Sequence, residues 1–111
     1  MKLARQYHIE NKQPERINFI SRKQSYFGNT LGALGLSSHK PRRAQFGPLF
    51  ASNVHYVSPC FAYHYKSVDE SDEAYVTRLA DELEVKFQEL GPQTVAAFFA
   101  ETGQLKMCSL Q

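Results

Sequence analysis

In the second half of the chain, an amphipathic segment is followed at once by an apolar run. From Asp72 to Leu90, apolar residues recur at the 3.6-residue period of a helix, with Ser71 as a candidate N-cap. Gly91 and Pro92 supply the stop. Residues 94–100 are then apolar without alternation, as in a parallel strand covered on both faces. This order of elements predicts an α/β sheet.

The rest of the chain repeats this alternation of helix and strand. Periodicity predicts helices over residues 1–10 and 31–36, and β-rich runs at 17–22 and 53–57. The first helix begins without a capping residue. Gly32 and Gly35 indicate a helix that packs closely on a sheet, and residues 37–52 are interpreted as a long surface loop. The whole predicts an open α/β sheet with right-handed crossovers.

Size and charge exclude several classes of protein. The longest apolar stretch, Val95–Ala100, is far shorter than the roughly 20 residues that cross a bilayer. Thirteen Lys and Arg against eleven Asp and Glu give no global electrostatic case for nucleic acid or anionic lipid. Two cysteines, Cys60 and Cys108, do not form a disulfide framework, so we expect a reducing setting, cytoplasmic or organellar, with the cytoplasm favoured.

Ligands of open α/β sheets bind beyond the carboxyl ends of the strands. Three segments follow the predicted strands and are expected to lie on one rim of the sheet: Ser25–Gly28, Ser58–Tyr63 and Glu101–Gly103. We expect most other residues to be scaffold.

Four residues on this rim are the candidates for a site. An aromatic ring at Tyr26 or Phe27 could stack on a planar heterocycle, with Gly28 allowing a sharp turn, or both rings could fill the core. Glu101 follows an apolar strand, where a carboxylate is costly unless it is paired or solvated. It indicates either a polar site or a solvated strand end.

Other reactive side chains have simpler interpretations. Cys60 is read as a small buried hydrophobe, because no activating base accompanies it. The histidines lack metal-ligand spacing, so no metal site is predicted. The basic run from His39 to Arg43 could contact phosphate, but a solvated loop is favoured.

Several motifs in order resemble the class III aminotransferases, which are pyridoxal-phosphate enzymes of fold type I. The resemblance spans residues 2–102, and each motif alone is weak. The matching stretches are Leu3–His8, Phe19–Arg22, Ser25–Leu34, Ser58–Tyr63 and Val95–Glu101. The resemblance implies the three-layer, open and mostly parallel sheet of the family's large domain. It also implies that residues 1–102 are part of the pyridoxal-phosphate-binding domain and that 103–111 are a divergent tail.

The resemblance also implies roles for the four rim residues in binding pyridoxal 5'-phosphate. Tyr26 matches the aromatic residue that stacks on the cofactor's pyridine ring, and Gly28 the glycine that turns the chain past it. Phe27 stands where a histidine or tryptophan is commonest. Glu101 matches a strand-end glutamate near the ring, although Thr102 replaces the proline that usually follows. The implied partners are an amino donor and an oxo-acid acceptor, in a homodimeric family.

Three parts of the family's site find no match in these residues. They are the phosphate-binding glycine/serine turn, the aspartate on the pyridinium nitrogen and the lysine that binds the cofactor covalently. We therefore expect an internal piece of a larger transaminase, inactive by itself. The alternative is a non-catalytic interaction module that pairs with a full-length enzyme through exposed sheet edges. A third hypothesis, nucleic-acid binding through Arg42 and Arg43, predicts strong salt dependence.

Overall fold

The computed structural model describes residues 1–60 and 65–101, in which helices and parallel strands alternate. The helices are α1 (Lys2–Glu10), α2 (Leu31–Leu36), α3 (Lys40–Arg43) and α4 (Asp72–Leu90), with short 3-10 turns at Gly47–Leu49 and Pro92–Thr94. The strands are β1 (Asn18–Arg22), β2 (Val54–Val57) and β3 (Val95–Phe99).

In the described part of the chain, these strands form a parallel sheet in the order β2-β1-β3. Ile20 in the central strand lies opposite His55 on one side and Phe98 on the other. The register shifts between Asn18 and Phe19 where β1 meets β3. The predicted α/β fold with parallel strands is confirmed.

Helices cover both faces of this sheet, which gives three layers. On one face, Ile20, Val57 and Val95 form a buried cluster, against which side chains of α4 and β3 pack. These are Leu83, Phe87, Leu90 and Phe98. On the opposite face, the buried Ser21 hydroxyl donates to the carbonyl of Leu36 at the end of α2. Alternate β1 residues therefore serve opposite layers, as the strand's period of two requires.

The ends of α4 match the sequence prediction. The hydroxyl of Ser71 accepts a hydrogen bond from the Ala74 amide at 3.1 Å, while Asp72 and Glu73 lie in the first turn. Gly91 ends the helix with φ +87°, a conformation that L side chains rarely adopt. By contrast, α1 begins at Lys2, and its N-cap residue Met1 makes no side-chain capping bond, as predicted.

Polar contacts fasten the first helix and the loop after it to β3. His8 Nε2 lies 2.8 Å from the carbonyl oxygen of Ala96, within hydrogen-bond distance. Arg16 donates to the carbonyls of Pro92 and Val95 at 3.0 and 2.8 Å. These contacts join segments far apart in sequence and fix the start of β3 beside β1.

The structure differs from the sequence prediction around α2. Residues 37–52 include α3 and a 3-10 turn, both too short for periodicity to reveal. The predicted close approach is wrong at Gly32, where an added Cβ would meet nothing within 4 Å. At Gly35 the close neighbour is the ring of Phe50, at 3.4 Å, so the helix approaches a loop aromatic there.

Among residues 1–60 and 65–101, no helix combines the length and the apolar content that a membrane span requires.

Candidate functional site

The ends of β1 and β3 meet through a hydrogen bond between two of the predicted site residues. The amide of Tyr26 donates to Oε2 of the half-buried Glu101 at 3.1 Å. Because β1 and β3 are parallel neighbours, the residues after them emerge at the same edge of the sheet. Glu101 therefore has a backbone partner at this edge, and the solvated strand-end interpretation is incomplete.

Gly28 has the conformation that a sharp turn requires. Its φ is +137°, which L side chains rarely adopt, and an added Cβ would lie 3.0 Å from the Cβ of Ala33. A larger residue would therefore meet both backbone strain and a collision with α2. This geometry agrees with the predicted turn after Tyr26.

The Tyr26 ring already carries a planar cation. The guanidinium carbon of Arg42 lies 4.7 Å from the ring centroid, in a cation–π contact. A ring that accepts a guanidinium on its face is chemically suited to stack on another planar, charge-delocalised group. The contact with Arg42 could not be predicted from sequence, since it joins a strand-end loop to a separate short helix.

The Phe27 side chain packs against another aromatic ring of the protein. Its ring meets Phe99 edge-to-face, with 6.0 Å between centroids. Phe27 and Phe99 also line an apolar groove of about 600 Å³ together with Leu3 and Leu36. The half-buried Phe27 ring therefore lines this groove and does not fill the core, while its backbone belongs to the turn.

Ser37 is a buried residue of the site that the sequence analysis missed. Its hydroxyl accepts a hydrogen bond from the Phe27 amide at 2.8 Å. Serines next to helix ends commonly bond to nearby backbone groups, so its position after α2 was a usable, though weak, signal.

The segment after β2 lies at the same edge of the sheet but lines a different space. Ser58 and Pro59 border a cavity of about 270 Å³ together with Lys23 and Gln24. The Ser58 amide donates to Oε1 of Glu82 at 2.8 Å. The predicted rim therefore unites Tyr26 with Glu101 and leaves Ser58 in a neighbouring cavity. Phe61–Tyr63 and Thr102–Gly103 lie outside the described residues.

Charges near that cavity are largely paired. Arg78 lies 3.0 Å from Glu70, and the hydrogen bond from this guanidinium holds the pKa of the Glu70 carboxyl below its usual value.

Cys60 is a free, half-buried thiol, more exposed than the predicted buried hydrophobe. In the described ranges, no three His, Cys, Asp or Glu side chains are arranged to hold a metal ion.

The basic segment is partly built into the fold. Arg43 donates to the carbonyl of Ser37 at 2.8 Å and to the hydroxyl of Tyr56 at 2.7 Å, and its guanidinium lies over the rings of Phe50 and Tyr56. The solvated-loop interpretation is therefore wrong for Arg43. Its partners are distant in sequence, so spacing within the segment could not reveal them.

His55 on β2 is the titratable group that the sheet perturbs. Burial lowers its pKa from the usual 6.5, and the nearby Lys86 ammonium on α4 lowers it further. Nε2 of His55 lies 3.3 Å from Oδ1 of Asn18 on β1. His55 thus lies on the face of the sheet that α4 covers, away from the Tyr26 turn.

Comparison with known proteins gives one consistent result. A family model described as aminotransferase class-III matches residues 1–107. An aminotransferase from Gibberella zeae is 53% identical over 105 residues, which are 92% of this chain and 20% of that protein. An uncharacterized aminotransferase from Schizosaccharomyces pombe is 46% identical over 102 residues, covering 92% of this chain and 22% of the relative.

Solved structures agree with the sequence relatives. A PLP-bound amine transaminase from an uncultivated Pseudomonas species superposes with a TM-score of 0.82 at 26% identity, over 89% of this chain and 22% of that one. A transaminase with L-alanine superposes with a TM-score of 0.81 at 34% identity, over 87% and 23%. The chain thus spans about a fifth of the length of the relatives it matches.

Proposed function

Since this chain belongs to the class III aminotransferase family, we propose that residues 1–102 form one part of a domain that binds pyridoxal 5'-phosphate. Its fold is that of fold type I transaminases. The whole enzyme would move an amino group between an amine or amino acid and an oxo-acid. The observation that carries the proposal is the bond between Tyr26 and Glu101, which unites two strand ends at one edge of the sheet.

Each candidate residue has a distinct part in this proposal. The Tyr26 ring offers its face to the pyridine ring of the cofactor, in the manner of its contact with Arg42. Gly28 turns the chain away from that face, and Glu101 accepts the Tyr26 amide. Phe27 stabilises the turn in two ways: its amide donates to the Ser37 hydroxyl, and its ring packs on Phe99.

The cofactor, when bound, supplies an electron sink for transfer of the amino group. The residues of this chain orient and shield it; we assign no proton transfer to them. Their contribution is therefore to the affinity and orientation of the ring, and loss of a side chain here should weaken binding before it alters chemistry.

The direct test exchanges segments. Residues 1–101 of this chain would replace the matching stretch of the Gibberella zeae aminotransferase, and cofactor absorbance and transamination would be measured. We expect the exchanged enzyme to bind pyridoxal 5'-phosphate and turn over, and Tyr26→Ala in it to weaken cofactor binding by about fivefold, since aromatic stacking contributes roughly 1 kcal/mol. Phe46→Ala, which removes an exposed ring outside the site, is the control. An exchanged enzyme that folds without binding cofactor contradicts the proposal.

For the 111 residues by themselves, we propose catalytic inactivity, because the resemblance finds no match in this chain for the lysine that binds the cofactor covalently. The polypeptide would be mixed with pyridoxal 5'-phosphate, reduced with borohydride and digested for mass spectrometry. We expect weak labelling scattered over several lysines. Stoichiometric labelling of one lysine contradicts inactivity.

A second candidate function follows from the edge of the sheet. In the described residues β3 pairs with β1 on one side, and its other edge pairs with none of the described strands. Such an edge can accept another strand. We propose as the alternative that the chain pairs with a full-length enzyme there. Size-exclusion chromatography with the S. pombe relative tests this: an unshifted elution volume contradicts it.

The proposed compartment is the cytoplasm, which suits the two cysteines. Fractionation of cells that express a tagged chain would test it, and recovery with mitochondria would contradict it.

A further inference from the structure

The turn between β1 and α2 has an unusual pair of hydrogen bonds. Two consecutive amides, those of Tyr26 and Phe27, donate to side chains rather than to backbone carbonyls. The acceptor for Tyr26 is Glu101, which follows β3, and the acceptor for Phe27 is Ser37, which follows α2. The turn is therefore held at adjacent residues by two separate elements of the fold.

Ser37 is well suited to be the more specific of these two anchors. Its side chain is fully buried, and its hydroxyl donates to the carbonyl of Ala33 at 2.7 Å. With the hydroxyl proton directed at Ala33, an oxygen lone pair is left to accept the Phe27 amide at 2.8 Å. The Ser38 amide adds a bond to the carbonyl of Ser25 at 3.1 Å, so the end of α2 and the turn are joined twice.

We propose that Ser37 is a positioning residue for the candidate cofactor site. By fixing the Phe27 amide, Ser37 fixes the backbone that carries the Tyr26 ring and hence the ring's orientation toward a bound planar group. The inference rests on the proposed function for its biological meaning, but the contact itself is a property of this chain. A further consequence is that the Tyr26 and Phe27 amides are occupied, so this turn offers neither of them to the phosphate of a ligand.

Ser21 provides a matched control within the same part of the fold. Like Ser37 it is fully buried, and its hydroxyl also donates to a carbonyl near the end of α2, that of Leu36 at 2.7 Å. It makes no bond to the Tyr26–Phe27 turn. Ser37→Ala and Ser21→Ala therefore each remove a buried hydroxyl that bonds to α2. Only Ser37→Ala also removes a hydrogen bond to the Tyr26–Phe27 turn.

The test is nuclear magnetic resonance on the ¹⁵N-labelled 111-residue chain without cofactor. In the unsubstituted chain we expect slow amide exchange at Phe27 and one dominant χ1 rotamer at Tyr26. In Ser37→Ala we expect Phe27 exchange to accelerate by about tenfold or more, relative to the strands, and the Tyr26 χ1 coupling to average. Ser21→Ala should lower the thermal midpoint while leaving both signals at their original values.

Three results would overturn the proposal. The first is Phe27 exchange as fast as that of an exposed amide in the unsubstituted chain. The second is a Tyr26 rotamer that stays fixed in Ser37→Ala. The third is an equal response to Ser21→Ala, which would show only a general loss of stability. Should Ser37→Ala fail to fold, Ser37→Cys, a weaker acceptor, should give a smaller change of the same sign, and the unsubstituted chain still decides the first outcome.

A second arm separates this inference from the proposed function. In the segment-exchanged Gibberella zeae enzyme, Ser37→Ala should raise the dissociation constant for pyridoxal 5'-phosphate by about tenfold, while Ser21→Ala leaves it within about twofold. If the exchanged enzyme binds no cofactor at all, the proposed function fails while the resonance data still decide whether Ser37 holds the turn. If it binds cofactor and Ser37→Ala leaves affinity unchanged, the positioning role fails alone.

Discussion

At the scale of single residues, the two glycines flanking the start of α2 should respond oppositely to the same substitution. Gly28→Ala forces a side chain to φ +137° and against Ala33, so we expect a loss of about 1–3 kcal/mol in the free energy of unfolding. Gly32→Ala meets open space in a helix and should gain about 0.5–1 kcal/mol. Urea denaturation measures both, and equal effects would contradict this account.

His55 makes stability depend on pH. Its folded pKa is lowered, so between that value and the unfolded value of 6.5 the unfolded chain binds more protons. Stability is therefore fully present above 6.5 and falls as pH drops through the folded pKa. We expect His55→Gln to flatten this slope between pH 7.5 and 5, as measured by denaturation at each pH.

The Lys86 ammonium provides an independent check on the cause. Lys86→Gln removes the charge that depresses His55 and should raise the pKa of His55 in a resonance titration. Burial remains the larger cause, so the pKa should stay below 6.5. An unchanged pKa would rule out the charge as a contributor.

At the scale of elements, the cap of α4 gives the cleanest prediction. Ser71→Ala removes the acceptor for the Ala74 amide, and we expect it to cost about 1 kcal/mol of stability. Ser71→Asp keeps an acceptor and should be close to neutral. Ser67→Ala, an exposed serine just before the cap, is the control. Thermal denaturation followed by circular dichroism orders the variants, and a Ser67 effect as large as that of Ser71 would argue against a cap.

Elements with strong local signals could be predicted from the sequence. The period of α4, its Ser71 cap and the stop at Gly91 lie within one window, and the strands carry β-branched and aromatic residues. The helix α3 could not be predicted, since four residues show no period. Contacts such as Ser37 with Phe27 were also missed, because their geometry depends on how α2 packs after folding.

The contact between two candidate site residues was predictable, because chain topology alone brings them together. Parallel neighbours deliver Tyr26 and Glu101 to one edge, so their meeting follows from strand order. The cation–π contact of Arg42 with Tyr26 does not follow, because it requires the path of the chain between α2 and β2. Sequence thus identified the residues of the turn, and the structure supplied what holds them.

At the scale of the whole molecule, large apolar side chains are exposed in the described part of the chain, among them Leu3 at 82% and Leu49 at 64%. This surface is of the kind that packs against further protein.

We therefore expect the 111-residue chain to melt at a lower temperature than the segment-exchanged relative that contains it. It should also bind more of an apolar fluorescent dye per molecule, because surface that the relative covers stays open. Calorimetry and dye titration at matched concentration measure both. Equal midpoints with no dye binding would show that the chain is complete in its packing.

The central place of β1 bears on how this chain reaches its fold. Both partners of β1 follow it along the chain, and Asn18 pairs with Val95 only after the whole of α4 has been made. Such pairing requires long loops to close, and the entropy lost in closing them is offset only once the strands are in contact. Folding is therefore slow compared with that of helical proteins of equal length. During synthesis, β1 leaves the ribosome long before β3, with an apolar strand open on both sides. A chaperone that shields extended apolar segments should therefore raise the yield of folded chain.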